Sequence, residues 1–178
     1  MQSRQQWAAV TFKVSAKLLS KIVDIFLEEI QPILGVKDVI PSIVSQPINR
    51  DEIHLFGKNG GNCLGIKDGD GPLIRMCSRT ISGPFANSQT VFSVVFRWSR
   101  PEDDLVMSIA GSNIVDRAVV LAKEMDLHHR YIYQNYANIS QDVFGGYGED
   151  NRKKLKKIQK KYDPEGIFSK LQPGYFKL

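Results

Sequence analysis

"TVFSVVFRW", residues 90–98, places Phe92, Val94, Phe96 and Trp98 at every second position, so an extended chain carries all four on one face. Such alternation predicts a strand with one buried side. That strand needs neighbours, and two other segments qualify. "WAAVTFKV" (7–14) repeats the pattern with Val10, Phe12 and Val14. "DVIPSIVSQPI" (38–48) contains two prolines, which suits an edge strand because proline cannot donate to a ladder.

The segments between these strands read as helices. Ser15 stands where a helix cap is needed, ahead of Leu18, Leu19, Ile22, Phe26 and Ile30, and Pro32 closes the run. Beyond residue 98, Ser99 and Pro101 open a second helix, with Glu102, Asp103 and Asp104 in its first turn, where the helix dipole favours anions. Its apolar residues run from Leu105 through Ile109 and Leu121 to Met125, with Gly111 as the expected weak point. Asn151, Leu155, Ile158 and Tyr162 make the stripe of a last helix, and "DPEG" (163–166) turns the chain afterwards. "GKNGGNCLGIKDGDGP" (57–72), with six glycines, reads as a tight loop, a short strand "NCLGI" and a turn. It has neither glycine spacing of a phosphate loop. Strands and helices without βαβ regularity predict α+β: an antiparallel sheet covered by helices on one face, with a C-terminal helix and tail.

The 178 residues suffice for one domain with a real core, and 42% apolar with 24% charged residues is a globular composition. The net charge of +5 is local: "RKKLKKIQKK" (152–161) holds seven of the 24 basic residues, and the other 17 face 19 acidic ones. That run reads as a solvated helix face before it reads as a binding patch, and it holds no aromatic residue for stacking bases. No nucleic-acid partner is expected. Cys63 and Cys77 form no metal-binding pair motif, and with His54, His128 and His129 they are too scattered to indicate a metal. The N-terminal residues lack the apolar core of a signal peptide, and no membrane segment is expected.

"YIYQNYANISQDVFGGYG" (131–148) concentrates tyrosines and amides with no acid–base partner beside them. As a strand, "RYIYQNYA" (130–137) would put Tyr131, Tyr133 and Asn135 on one face. Packing is the preferred reading for Tyr131 and Tyr136.

In that order and spacing, "YQNYAN" (133–138), "YGEDNRKKL" (147–155), "KYDPEGIF" (161–168) and "PGYFKL" (173–178) resemble the C-terminal part of the berberine-bridge-enzyme-like FAD-linked oxidoreductases, fungal type. "VSQPI" (44–48), "KNGGNCLGI" (58–66) and "GPLI" (71–74) extend the resemblance to nearly the whole chain. The resemblance implies a substrate domain over residues 1–140 and, over 141–178, a C-terminal segment that packs on a flavin domain. The flavin-binding domain itself is expected to be absent here, so FAD is not expected to be held tightly by this chain alone. A small-molecule substrate and a separate flavin-binding domain or chain are the implied partners.

By resemblance Tyr133 is the catalytic tyrosine facing flavin and substrate. Asn135, Tyr147, Gly148 and Asn151 are cofactor-side residues, and Gln46 and Asn62 substrate-side residues. The implied reaction is hydride transfer from an alcohol, amine or sugar carbon to flavin, in secondary metabolism. An ordinary phenol would cost roughly 4 kcal/mol to ionise at pH 7, so a tyrosine base needs donors around it. The alternative is a flavin-free binding module or a remnant of the enzyme. "RMCSRTISGPFANSQ" (75–89) departs from the family pattern, as a surface insertion or as an intron translated in frame.

Overall fold

A computed structural model describes residues 3–70, 89–172, 174 and 176–178. Four strands form one antiparallel sheet: β1 Arg4–Lys13, β2 Ile40–Ile48, β3 Gln89–Trp98 and β4 His128–His129, in the order β2-β3-β1-β4. β3 pairs with β1 along its full length, Ala9 opposite Ser93, and with β2 on its other side. The proline-bearing β2 is thus an edge strand. The described residues also form helices α1 Ala16–Glu29, α2 Arg50–Phe56, α3 Asp104–Glu124, α4 Val143–Gly146, α5 Glu149–Tyr162 and α6 Ile167–Leu171.

The pleat sorts the side chains as the alternation predicts. Ala8, Val10 and Phe12 of β1 join Phe92, Val94, Phe96 and Trp98 of β3 in the main core, beneath Leu18, Ile22 and Phe26 of α1 and Met107, Ile114 and Ala118 of α3. Phe12, Phe92 and Phe96 are almost wholly buried, each contributing about 2–3 kcal/mol by burial. Ser15 caps α1 by accepting the Leu18 N–H at 3.3 Å, and Pro32 lies in a 3-10 turn just past the helix end. Residues Pro101–Glu124 are long and apolar enough to cross a membrane by length and composition; Met107, Ala110, Ile114, Val115, Ala118 and Ala122 face the main core, whereas Leu105 and Ile109, expected on the buried stripe, are exposed.

Three expectations need correction. The helix does not break at Gly111, because there it packs closest to the sheet: a Cβ would stand 2.9 Å from Gln6 Nε2 and 3.7 Å from the Phe96 ring. "NCLGI" is not a strand. The Asn62 side chain takes over the local backbone instead, donating to Phe56 O at 3.3 Å and Ile66 O at 2.9 Å and accepting from Leu64 N at 2.9 Å. Nor do residues 130–137 form a strand. β4 pairs only with Thr11 and Phe12, and the chain then leaves the ladder for a second, smaller core of Ile53, Ile66, Tyr131, Val143 and Tyr147. Of the expected insertion, residues 75–88 lie outside the described residues, as do Cys77 and "GPLI".

Candidate functional site

Beyond β4 the edge of β1 is closed by a side chain. Gln141 Oε1 accepts the Ala9 N–H at 3.0 Å while its Nε2 donates to Ala9 O at 2.7 Å. One amide thereby presents the donor and acceptor that a strand residue would have presented. The same Oε1 accepts the Asn138 N–H at 2.9 Å, which ties the 131–141 segment to the sheet.

Held in this way, the segment lays its rings against the sheet face that the helices leave uncovered. The Tyr136 ring stacks on Trp7 of β1, centroids 4.7 Å apart and planes 21° from parallel, and Tyr133 meets Tyr136 edge-on at 4.9 Å. Gln46 of β2 reaches the same group, its Nε2 donating to the Tyr136 hydroxyl at 3.4 Å. Asn135 Nδ2 donates to the Tyr133 hydroxyl at 3.0 Å. Tyr133, Asn135 and Gln46 therefore gather around Tyr136, although no strand aligns them.

The four tyrosines of the stretch differ in what they can do. Tyr131 and Tyr147 stack on each other at 6.0 Å, are 3% and 4% exposed, and belong to the smaller core. Burial pushes both phenols above their ordinary value, which keeps them protonated and unsuited to act as bases. Tyr136 is committed to its stack. Tyr133 is half-buried, and its oxygen already accepts one hydrogen bond, leaving its own proton free to meet a ligand.

The remaining candidates have structural surroundings. Tyr147 carries Phe144 edge-on at 5.6 Å, and its hydroxyl donates to Gln134 Oε1 at 3.4 Å. Asn151 Nδ2 donates to Tyr147 O at 3.1 Å. Gly148 sits at φ +90, where a Cβ would come 2.5 Å from the Arg130 guanidinium. Asn62 organises its loop in the smaller core region and does not meet the Tyr133 group. Among the described residues no group of three His, Cys, Asp or Glu stands close enough to hold a metal.

A cleft of about 660 Å³ adjoins this cluster along the β1 edge, with Trp7, Trp98, Asn135, Asn138 and Ile139 among its walls. Neither tryptophan was singled out by sequence as a site residue, although Trp7 falls on the outer face by the same period-two alternation that buries Val10. The cleft's charged groups neutralise each other. Arg4 donates twice to Asp104, both at 2.5 Å, and Trp98 Nε1 donates to the same carboxylate at 2.9 Å. This holds the Asp104 carboxyl below its usual range.

No protein-family model matches the chain, and no solved structure matches it. Curated fungal proteins do. The FAD-dependent monooxygenase tpcD of Cochliobolus heterostrophus is 33% identical over 98% of this chain and 32% of its own length. The FAD-dependent monooxygenase FUP4 of Fusarium proliferatum is 31% identical over the same shares. The FAD-dependent monooxygenase drtC of Aspergillus calidoustus is 27% identical over 70% of this chain and 21% of its own length. The chain spans about a third of the length of the first two. Over nearly all its residues, then, this chain is similar to a one-third portion of fungal proteins named FAD-dependent monooxygenases.

Proposed function

We propose that the chain is the substrate-binding portion of a berberine-bridge-enzyme-like FAD-linked oxidoreductase of secondary metabolism, with Tyr133 at the reacting end of the substrate. The observation that carries this reading is the 3.0 Å hydrogen bond from Asn135 to the Tyr133 hydroxyl beside an aromatic-walled cleft. Support for a flavin partner comes from the names of the relatives and from the kind of groups present. Asn135 and Gln46 offer amides, and Tyr133 a phenol, beside stacked rings. That set suits the edge of a planar, hydrogen-bonding ring system such as an isoalloxazine.

FAD, when bound, supplies the acceptor for a hydride from a substrate carbon. This chain would supply the substrate surface and the proton acceptor. To take the hydroxyl or amine proton Tyr133 must first give up its own, so it acts as the phenolate, whose charge the Asn135 N–H directed at its oxygen holds, and becomes the neutral phenol as the substrate is deprotonated. The segment 141–178 is the surface for a flavin-binding domain or chain. Support lies in Tyr162, Phe168 and Leu171, large apolar side chains left 72%, 74% and 77% exposed in this segment.

The chain expressed by itself is expected to be folded and colourless. Mixing it with a polypeptide covering the remaining two thirds of a relative should restore flavin colour and substrate-dependent bleaching. In that mixture Tyr133→Phe should slow reduction at least tenfold with little change in substrate binding. Reduction at the full rate in that variant would remove Tyr133 from the chemistry. A chain that binds ligand but never associates with a flavin-bearing partner would instead be a flavin-free binding module.

A further inference from the structure

A second cavity, of about 360 Å³, lies beside β4 and shares no lining residue with the cleft along β1. Its walls come from two segments, Gly65, Lys67 and Asp70 of the glycine-rich loop and His128, His129 and Arg130 at β4. Four of these six residues are basic, and none of them belongs to the tyrosine group.

The charges in these walls do not cancel. All 19 acidic residues of the chain fall within the described part, and none stands within 4.0 Å of the Lys67 ammonium or the Arg130 guanidinium. Asp70, the one acid lining the cavity, accepts the Lys67 backbone N–H at 2.6 Å and faces His129 Nε2 at 3.4 Å. Burial is the main cause that lowers the His129 and His128 values; the charges of Arg130 and Lys13 on His129, and of Lys123 on His128, act in the same direction, with Asp70 opposing at His129. Further cations therefore stand close to the pair. The place of the Arg130 side chain is set by packing: its guanidinium lies 2.5 Å from where a Cβ would stand at Gly148 and 3.1 Å from one at Gly65. Two glycines thus leave room for a cation that has no counter-ion.

The geometry points to a binding site for a phosphoryl group in this cavity, held by the Arg130 guanidinium and the Lys67 ammonium. A guanidinium presents paired N–H donors that match two phosphoryl oxygens, and an ammonium adds a compact charge. A concave wall with an excess of one sign concentrates its field on the opening and raises the local concentration of the opposite ion. The volume is within the ordinary range for small-molecule sites and leaves space for a small organic group attached to the phosphate. Neither a flavin nor Tyr133 enters this inference, which stands apart from the proposed function.

Titration of the full chain with inorganic phosphate and with glycerol 3-phosphate, at fixed pH and ionic strength, tests the site in proton–nitrogen correlation spectra. The backbone signals of Gly65, Lys67 and Arg130 and the Arg130 side-chain Nε–H should shift together and saturate, while those of the lysine-rich α5 stay in place. Tighter binding of glycerol 3-phosphate identifies a phosphoryl group carried on a larger molecule, and equal binding identifies free phosphate; either sustains the site. Arg130 and Lys67 are exposed, so Arg130→Gln and Lys67→Gln should stay folded by circular dichroism and weaken both anions at least tenfold and threefold. Arg130→Lys, which keeps the charge without the paired donors, should fall between Arg130→Gln and the unsubstituted chain. Lys157→Gln on α5 should bind as the unsubstituted chain does. Absence of saturation with both anions, shifts centred on α5, or a folded Arg130→Gln variant with unchanged affinity would each overturn the inference. If Arg130→Gln does not fold, unchanged affinity in Lys67→Gln overturns it equally.

Discussion

Trp7 and Tyr136 lie face to face, centroids 4.7 Å apart, joining the first strand of the chain to the loop after its last strand. Much of the candidate site hangs on this pair, because Tyr133 packs on the outer side of Tyr136. Stacked aromatic pairs contribute about 0.5–1.5 kcal/mol beyond the area they bury. Tyr136→Ala should therefore destabilise the chain by about 1–3 kcal/mol in urea unfolding and shift the Trp7 emission. Tyr136→Phe keeps the stack and loses only the long 3.4 Å contact with Gln46, so it should cost less than about 1 kcal/mol. Equal losses for the two substitutions would mean that the hydroxyl, and not the ring, holds the loop.

Gln141 supplies the other attachment, and its two hydrogen bonds with Ala9 make opposite demands on its amide. Gln141→Glu keeps the shape and the acceptor but removes the donor, setting a carboxylate against the Ala9 carbonyl. The expected cost is about 1–3 kcal/mol, with faster hydrogen exchange at the Ala9 and Asn138 amides. Unchanged exchange at both would show that the ladder edge is held by something other than this side chain.

These two contacts also explain what the sequence could and could not disclose. Period-two patterning found β1 and β3 because each alternation is local and one face of each is buried under α1 and α3, whereas β2 was legible by its prolines as an edge strand and has no fully buried residue. The Ser15 cap and the first-turn acids near Asp104 are equally local. Tyr131 and Tyr133 alternate as a strand would, yet the ladder stops at His129 because Gln141 occupies the next position on β1. That competition is between residues at opposite ends of the chain and leaves no trace in either neighbourhood. The grouping of Tyr133 with Asn135 was legible from resemblance. Its coupling to Trp7 through Tyr136 was not, since stacking partners carry no spacing rule.

Two glycines near the C-terminus test backbone conformation against crowding. Gly148 and Gly166 both have positive φ, +90 and +67. An alanine Cβ at Gly166 would have Lys170 Cε as its neighbour at 3.7 Å, whereas at Gly148 it would come 2.5 Å from the Arg130 guanidinium. Gly166→Ala should then cost the left-handed backbone alone, about 1–2 kcal/mol. Gly148→Ala should cost more, because Arg130 must also move. Comparison of the two by chemical denaturation checks this, and the reverse order would show that Arg130 yields freely.

The His129 imidazole is the group through which acid should loosen the segment. Its Nδ1 accepts the Tyr131 N–H at 3.2 Å, which places the ring proton on Nε2, 3.4 Å from Asp70 Oδ2. Protonating Nδ1 would turn an acceptor into a donor aimed at another donor. Burial lowers the His129 value below its ordinary 6.5, with Asp70 opposing in part, and burial beside Lys123 and His129 lowers that of His128 as well. The unfolded chain thus takes up protons at a higher pH than the folded one. Stability contributed by the neutral rings is fully present above about 6.5, declines as pH falls below that value, and is lost once the folded values are passed. His129→Asn, which can keep an acceptor toward Tyr131, should flatten this decline in unfolding free energy measured from pH 7.5 to 5, leaving the part that belongs to His128. An undiminished slope in that variant would place the acid sensitivity elsewhere, and the protection factor of the Tyr131 amide, followed over the same range, would then stay constant in the unsubstituted chain.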